Sequence, residues 1–125
     1  MFGSYLLACY NEDSETLQTV CKMGTGLSDE VMLNIYNKLK ELIVDKPPAQ
    51  LKYKEKNIDV WIQPKYVWEI KAADLSLSPI YCAALNEIEH GKGIALRFPR
   101  FIREREDKTY EEATSSEQII GYYKN

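Results

Sequence analysis

The chain has 125 residues, of which 45% are hydrophobic and 28% are charged, and its net charge is −3. This length accommodates one domain with a single core, and the composition is that of an ordinary globular protein rather than a disordered one. There is no apolar run long enough to cross a bilayer and no charged-then-apolar leader, so the sequence suggests neither membrane insertion nor secretion.

The first part of the chain predicts strands followed by a helix. Residues 4–10 form an apolar, aromatic run that ends in a polar cluster, and residues 17–23 alternate in part, which is typical of short strands. Ser28 is a good N-cap residue, and apolar side chains recur at helical spacing over residues 32–43. We expect this helix to cover a core with one face and to stop at the prolines at positions 47 and 48.

The remainder of the chain predicts further short strands and a closing helix. Strand candidates share β-branched and aromatic residues between prolines and polar turns, and they lie at 58–62, 66–70, 75–81, 93–98 and 101–105. The capping pattern from Ser115 to Gln118 predicts the start of the last helix. Five or so short strands around one or two helices are what a small Greek-key barrel of the oligonucleotide/oligosaccharide-binding (OB) type requires.

The cysteines and tryptophans are interpreted as core residues. The chain has three cysteines, at positions 9, 21 and 82. Their number is odd and no two of them have the Cys-x-x-Cys spacing, which argues against a disulfide framework and against a zinc site. Buried, reduced thiols are therefore expected. Trp61 and Trp68 could instead stack bases, as aromatic residues do in OB proteins that hold single strands, but the apolar context of Trp68 favours the core for both.

All four arginines of the chain lie within nine residues, from Arg97 to Arg105. Residues 97–108 hold five basic and three acidic side chains, a net charge of +2, which leaves −5 for the rest of the chain. Guanidinium groups bind phosphate through a planar, permanently charged fork, and a local basic patch can bind nucleic acid even when the whole chain is acidic. This segment therefore predicts a phosphate-binding or nucleic-acid-binding surface.

The segment from Gly93 to Lys108 also resembles the last signature motif of eukaryotic, replicative-type ATP-dependent DNA ligases, ending in their Arg-x-Asp-Lys at 105–108. Three further segments resemble the same family in the same order, at 7–15, 21–30 and 67–81. The resemblance implies that residues 1–125 are a single OB domain, the C-terminal part of a larger ligase.

For the whole enzyme, the resemblance implies a nuclear protein that seals nicks in double-stranded DNA with ATP and Mg²⁺. The OB domain would contact the nicked DNA and the nucleotidyltransferase domain of the same chain. The lysine that becomes adenylated lies in a Lys-x-Asp-Gly motif in that family, and this sequence has no such tetrapeptide. We therefore expect the fragment to be inactive alone and to require no cofactor of its own.

The resemblance also implies site residues. Arg105 and Lys108 would assist enzyme adenylation at the triphosphate of ATP, Asp107 would brace a basic neighbour, and no metal site is expected. The residues implied for DNA binding are Arg97, Phe98, Arg100, Arg103, Lys22, Gly24, Thr25 and Gly26. Phe98 would press into the minor groove, whereas Phe101 is assigned to the core. Glu69 and Lys71 are expected to occupy the polar face of their strand as a cross-strand pair.

Two other functions fit the residues. One is a stand-alone OB module that binds single-stranded nucleic acid, and the other is an interaction domain whose arginines bind an acidic protein. The Arg-x-Asp-Lys ending favours the ligase, because a single-strand binder has no use for triphosphate-binding residues.

The edge of the barrel provides one more expectation. In the family, the OB domain has an additional strand before the one that corresponds to residues 4–10. The barrel is therefore expected to lack its first strand, and the exposed edge is expected to be soft or to support self-association.

Overall fold

The computed structural model describes residues 2–24 and 26–125, and it shows a mainly β protein with two helices. The helices are α1 (Asp29–Leu39) and α2 (Ser116–Lys124). The strands are β1 (Tyr5–Asn11), β2 (Thr16–Met23), β3 (Ile43–Val44), β4 (Leu51–Lys52), β5 (Trp61–Ile62), β6 (Trp68–Lys71), β7 (Asp74–Ser78), β8 (Gly93–Arg97) and β9 (Arg100–Glu104). Within the described ranges, neither helix combines the length and the apolar character that a bilayer span needs.

Hydrogen bonding divides these strands into four small sheets. The largest has the order β1-β2-β4, with β4 parallel to β2, and the antiparallel pairs are β3–β5, β6–β9 and β7–β8. The expected mainly β, OB-type fold with two helices is confirmed. Hydrogen bonds do not close the described strands into one continuous barrel. The segment after β7 nevertheless links β2 to β8, because the Ala83 N–H donates to the Thr19 carbonyl at 2.9 Å and the Ala83 carbonyl accepts the Ile94 N–H at 2.8 Å.

Two buried clusters form the core. One consists of Cys9, Val20, Cys21, Ala83, Ala84, Ile94 and Ile119, and the other of Tyr5, Met23, Ile35 and Leu39. β2 supplies Val20 and Cys21 to the first cluster and Met23 to the second. Its pairing with β1 is irregular, since Leu7 pairs with Cys21 but Ala8 pairs with Thr19, which leaves Val20 as an extra residue. This bulge lets three consecutive residues of β2 be buried, whereas strict alternation would expose the middle one.

Both helix starts are confirmed by their caps. The Ser28 hydroxyl accepts the Val31 N–H at 3.2 Å, and the Ser115 hydroxyl accepts the Gln118 N–H at 3.1 Å. The Gln118 side chain in turn accepts the Ser115 N–H at 2.9 Å, which completes a capping box. These contacts span only three residues, which is why the sequence pattern could reveal them.

The region after α1 differs from the prediction. The helix ends at Leu39 rather than near the prolines, and a 3-10 turn over Lys40–Leu42 leads into β3. There Ile43 pairs with Ile62 of β5, so Ile43 belongs to a strand and not to the apolar helix face. The strand predicted at 58–62 is correspondingly short. A tertiary pairing has overridden the helical periodicity at these positions.

The three thiols are buried and free, as predicted. Trp68 is half-buried and packs against the second core cluster, where its ring lies 5.0 Å from that of Tyr5 and 5.2 Å from that of Phe101, both in edge-on geometry. Trp61 differs from the expectation. It is half-buried, packs on the ring of Tyr53 at 4.8 Å and lies outside both clusters.

Gly93 allows β8 to run against the backbone of the segment that follows β7. A Cβ at this position would overlap the carbonyl oxygen of Tyr81 and lie 3.0 Å from that of Ala83. The Ile94 N–H donates to the same Ala83 carbonyl at 2.8 Å. The first residue of β8 must therefore lack a side chain for this backbone contact to form.

Candidate nucleic-acid interface

The chain changes sheets between β8 and β9, at Phe98 and Pro99, because β8 pairs with β7 while β9 pairs with β6. Phe98 is 68% exposed and has a φ of +54°, a left-handed conformation that is uncommon for an aromatic residue. The Arg97 guanidinium lies 5.1 Å from the centre of the Phe98 ring. An exposed aromatic ring on a strained corner is suited to insertion into a partner, whereas Phe101 packs against Trp68 as expected.

The glycine loop after β2 contacts the start of β9. Gly26 has a φ of +94°, and a Cβ there would lie 2.9 Å from the Phe101 nitrogen and 3.6 Å from the Arg100 Cβ. Gly24 and Gly26 are both exposed, and Lys22 is exposed near the end of β2. Thr25 lies outside the described residues. Folding thus brings the loop next to Arg100, although more than seventy positions separate them in the sequence.

A bulge in β9 turns Arg103 toward solvent. Glu69 pairs with Arg103 and Ile70 pairs with Phe101, so Ile102 is an extra residue on β9. Strict alternation would place Arg103 on the same face as Phe101, which packs in the core. With the bulge, both Ile102 and Arg103 are exposed. The same register sets Lys71 opposite Arg100, so an additional exposed cation lies beside the arginines.

The arginines differ in their ion pairs. Arg103 Nε donates to Glu69 Oε1 at 3.0 Å, and Arg105 NH1 lies 3.9 Å from the same oxygen. In the part of the chain that the structure describes, neither Arg97 nor Arg100 has a carboxylate within 4.0 Å. Asp74 is opposite Arg97 across the β7–β8 pair, but its carboxylate accepts the Leu75 N–H instead.

These ion pairs correct the pairing predicted for β6. Glu69 interacts across the sheet with Arg103, not with Lys71 on its own strand, because residues two apart on a strand are farther from each other than directly opposed residues on neighbouring strands. Arg97 and Arg100 are consequently the arginines most available to an external phosphate.

Asp107 holds Arg105 in a two-point contact, which confirms that it braces an arginine. Arg105 Nε and NH2 donate to the two carboxylate oxygens at 2.9 Å and 2.8 Å. The hydrogen bonds from Arg105 lower the pKa of Asp107 to about 2, and those to Asp107 raise the pKa of Arg105. The pairing favours the ionised carboxylate, so it is lost only as the pH falls toward the lowered pKa of Asp107.

Lys108 follows this brace in a tight turn, with its N–H donating to the Arg105 carbonyl at 3.3 Å. Arg105 and Lys108 both line a cleft of about 480 Å³. Its other lining residues include two further lysines, Lys38 and Lys65, and three acidic residues, Glu104, Glu106 and Glu111. Among the described residues, Lys108 and Lys65 form no ion pair within 4.0 Å. Lys108 and Lys65 are therefore the lysines of this cleft that are not held in a short ion pair, whereas Lys38 is.

Lys38 connects α1 to the end of β9 and was not identified from the sequence. Its ammonium group donates to Glu104 Oε2 at 2.7 Å, lies 3.6 Å from Glu106 and sits 5.4 Å from the centre of the Tyr66 ring. The hydrogen bond to Glu104 raises the pKa of Lys38. Helical spacing could place Lys38 on the polar side of α1, but it could not reveal a partner 66 positions away.

The described residues contain no group of three or more His, Cys, Asp or Glu side chains that could hold a metal ion. The arrangement can instead bind phosphates through guanidinium and ammonium groups, and it can insert one exposed aromatic ring.

Comparisons with known proteins point to one family. Residues 1–108 match the family model described as the ATP dependent DNA ligase C terminal region. The chain is 49% identical over 128 residues to DNA ligase 1 of Schizosaccharomyces pombe, covering 100% of this chain and 17% of that protein. It is 50% identical over 125 residues to DNA ligase 1 of Dictyostelium discoideum (99% and 10%) and 43% identical over 123 residues to a DNA ligase of Hyperthermus butylicus (98% and 20%). The chain thus spans at most about a fifth of the length of these relatives.

Proposed function

Because the chain belongs to the family of the ATP-dependent DNA ligase C-terminal region, we propose that it is the OB domain of a replicative-type ligase, which binds nicked duplex DNA and assists adenylation of the enzyme. The whole enzyme would use ATP and Mg²⁺, act in the nucleus and carry its nucleotidyltransferase domain in the same polypeptide. The observation that carries the proposal is the corner at Phe98, where an exposed ring lies in the sequence between Arg97 and Arg100, two arginines with no carboxylate within 4.0 Å among the described residues.

At the DNA surface, Arg97 and Arg100 neutralise backbone phosphates, and the exposed amides of the loop at Gly24 and Gly26 approach the backbone closely. Lys22, Lys71 and Arg103 add positive charge around this centre. Phe98 opens the minor groove by insertion, which permits the protein to follow a distorted duplex. Nothing in this set reads a base edge, so the binding is directed to backbone and shape rather than to sequence.

At the adenylation motif, Lys108 and Arg105 face the triphosphate of ATP when the domain closes on the nucleotidyltransferase domain. Asp107 keeps the Arg105 guanidinium in one orientation, and the turn places Lys108 beside it. Phosphoryl-transfer catalysis consists mainly of positioning and charge neutralisation, which these groups can supply. Mg²⁺ would neutralise the phosphates, with its ligands coming from the nucleotide and the other domain.

A second candidate function is single-strand binding, and the Tyr53–Trp61 pair favours it. Tyr53 is 37% exposed and Trp61 is half-buried, and their rings are tilted by 59° at a centroid distance of 4.8 Å, so one of them could stack on an unpaired base. The pair lies on the β5 side of the molecule and outside the core clusters, and it has no part in the duplex surface described above.

We expect the chain to bind nicked duplex more tightly than single strands, with strong salt dependence. Arg97→Ala and Arg100→Ala should each weaken duplex binding roughly three- to tenfold at low salt and reduce the slope of log K against log salt by about 0.9. Fluorescence titration of both DNA forms at several salt concentrations measures this. Lys92→Ala, which also removes one cation but at the opposite end of β8, should have little effect. Tighter single-strand binding that is lost in Trp61→Ala would establish the second candidate instead.

The edge of β1 leads to a separate proposal, that this fragment self-associates through it. Near the end of β1, the Tyr10 N–H donates to the Thr114 carbonyl at 3.0 Å and Cys9 Sγ lies 3.7 Å from the Ser116 hydroxyl, whereas the backbone of residues 5–8 pairs with β2 alone among the described residues. We expect amides of residues 5–8 to exchange faster than those of β2, and light scattering to show concentration-dependent association. A monomer with fully protected β1 amides would contradict both parts.

A further inference from the structure

Glu69 lies between two arginines that have different proposed tasks. Its Oε1 accepts from Arg103 Nε at 3.0 Å and is 3.9 Å from Arg105 NH1. Arg103 belongs to the proposed DNA surface, while Arg105 belongs to the proposed adenylation motif. Glu69 is held directly opposite Arg103 by the β6–β9 register, so the contact is set by the backbone and not only by flexible side chains.

This carboxylate competes with phosphate for Arg103. An arginine that donates to a carboxylate must break that contact, or share its donors, before it can form a two-point contact with a phosphate. The side chains of Arg103 and Glu69 are 59% and 41% exposed, so the ion pair is solvated and can be displaced at modest cost. Arg105 lowers that cost further, because it offers the displaced carboxylate another positive partner.

We propose that Glu69 limits the affinity of this domain for DNA by neutralising Arg103 until a phosphate displaces it. The inference rests on the proposed function, since it requires a DNA surface that includes Arg103. It goes beyond that function because it assigns to Glu69 a regulatory role: Arg103 becomes a conditional contact, whereas Arg97 and Arg100 are permanent ones. A carboxylate in this position favours release from DNA and disfavours tight binding at unrelated sites.

The test is duplex binding by Glu69→Gln, which keeps the shape of the side chain and removes its charge. We expect this variant to bind nicked duplex about three- to tenfold more tightly at low salt, because Arg103 no longer has to leave a carboxylate before it contacts a phosphate. The matched control is Glu89→Gln, which removes a carboxylate that is also exposed (53%, against 41% for Glu69) and also ion-paired, to Lys92 at 3.1 Å. It corrects for the change in net charge alone.

A double-variant cycle then assigns the gain to Arg103. In an Arg103→Ala background, Glu69→Gln should increase affinity no more than Glu89→Gln does. The inference is overturned if Glu69→Gln equals its control in the parent chain, or if its gain persists without Arg103. Failure of the parent chain and of every variant to bind duplex would instead remove the proposed DNA-binding function itself, so the two failures are distinguishable.

Discussion

In a full-length ligase that carries this domain, replacing Lys108 by alanine is expected to raise the activation free energy for formation of the enzyme adenylate by roughly 2 to 4 kcal/mol. Lys108 lines the cleft together with Arg105 and forms no ion pair within 4.0 Å among the described residues, so we expect its charge to be available to the triphosphate. Sealing of a nick that already carries AMP should change much less, because that step no longer involves the triphosphate. Single-turnover measurements of the two steps provide the comparison.

Arg105 allows a sharper form of the same experiment. Arg105→Ala should also slow adenylation selectively, and Arg105→Lys should restore little, because an ammonium group cannot reproduce the two-point contact with Asp107. Lys124→Ala, which removes a cation from the end of α2, is the control for net charge. Equal losses in adenylation and in sealing would argue against a distinct role for this motif at ATP.

Gly93→Ala is expected to destabilise the fold severely, by about 3 kcal/mol or more, because overpacking of a buried position usually costs 1–3 kcal/mol and the obstacle here is backbone. The added Cβ would overlap the Tyr81 carbonyl oxygen, and relief requires β8 to move away from Tyr81 and Ala83. Urea unfolding followed by circular dichroism measures the change in the free energy of unfolding.

Gly121→Ala is the matched control for this prediction. A Cβ at Gly121, in α2, meets no atom within 4 Å. Alanine is favoured over glycine in helices by about 1 kcal/mol, so this variant should be as stable as the parent chain or more stable. A Gly93→Ala protein with unchanged stability would mean that β8 and the segment after β7 are not packed as closely as described.

The features that could be predicted from the sequence depend on interactions between residues that are close to each other in the chain. The caps at Ser28 and Ser115 act over three residues, β1 ends in a polar turn, and the Arg105–Asp107 brace spans two positions. The four arginines were also correctly recognised as one segment. For each of these features, the interacting groups are close in the sequence, so the pattern itself contains the interaction.

Features that depend on the register between distant strands could not be predicted. The bulge at Ile102 decides which way Arg103 points, and it arises from pairing with β6, some thirty residues earlier. The same pairing brings Glu69 to Arg103 and Lys71 to Arg100. The contact of Lys38 with Glu104, and that of Gly26 with Phe101, likewise join segments that sequence patterns treat separately. The sequence could thus identify the candidate site residues but not which of them are already neutralised.

The alkylation rates of the three buried thiols measure how often the structure around each of them opens. Burial raises the pKa of Cys9 to about 11 and that of Cys21 to about 12, and only the thiolate is a good nucleophile toward alkylating reagents. Near neutral pH, alkylation of Cys9 and Cys21 in the native chain therefore requires that the sheet around β1 and β2 first opens. The rate of alkylation at Cys9 and Cys21 consequently records how often that happens, with no introduced label, while Cys82 reports on the segment after β7.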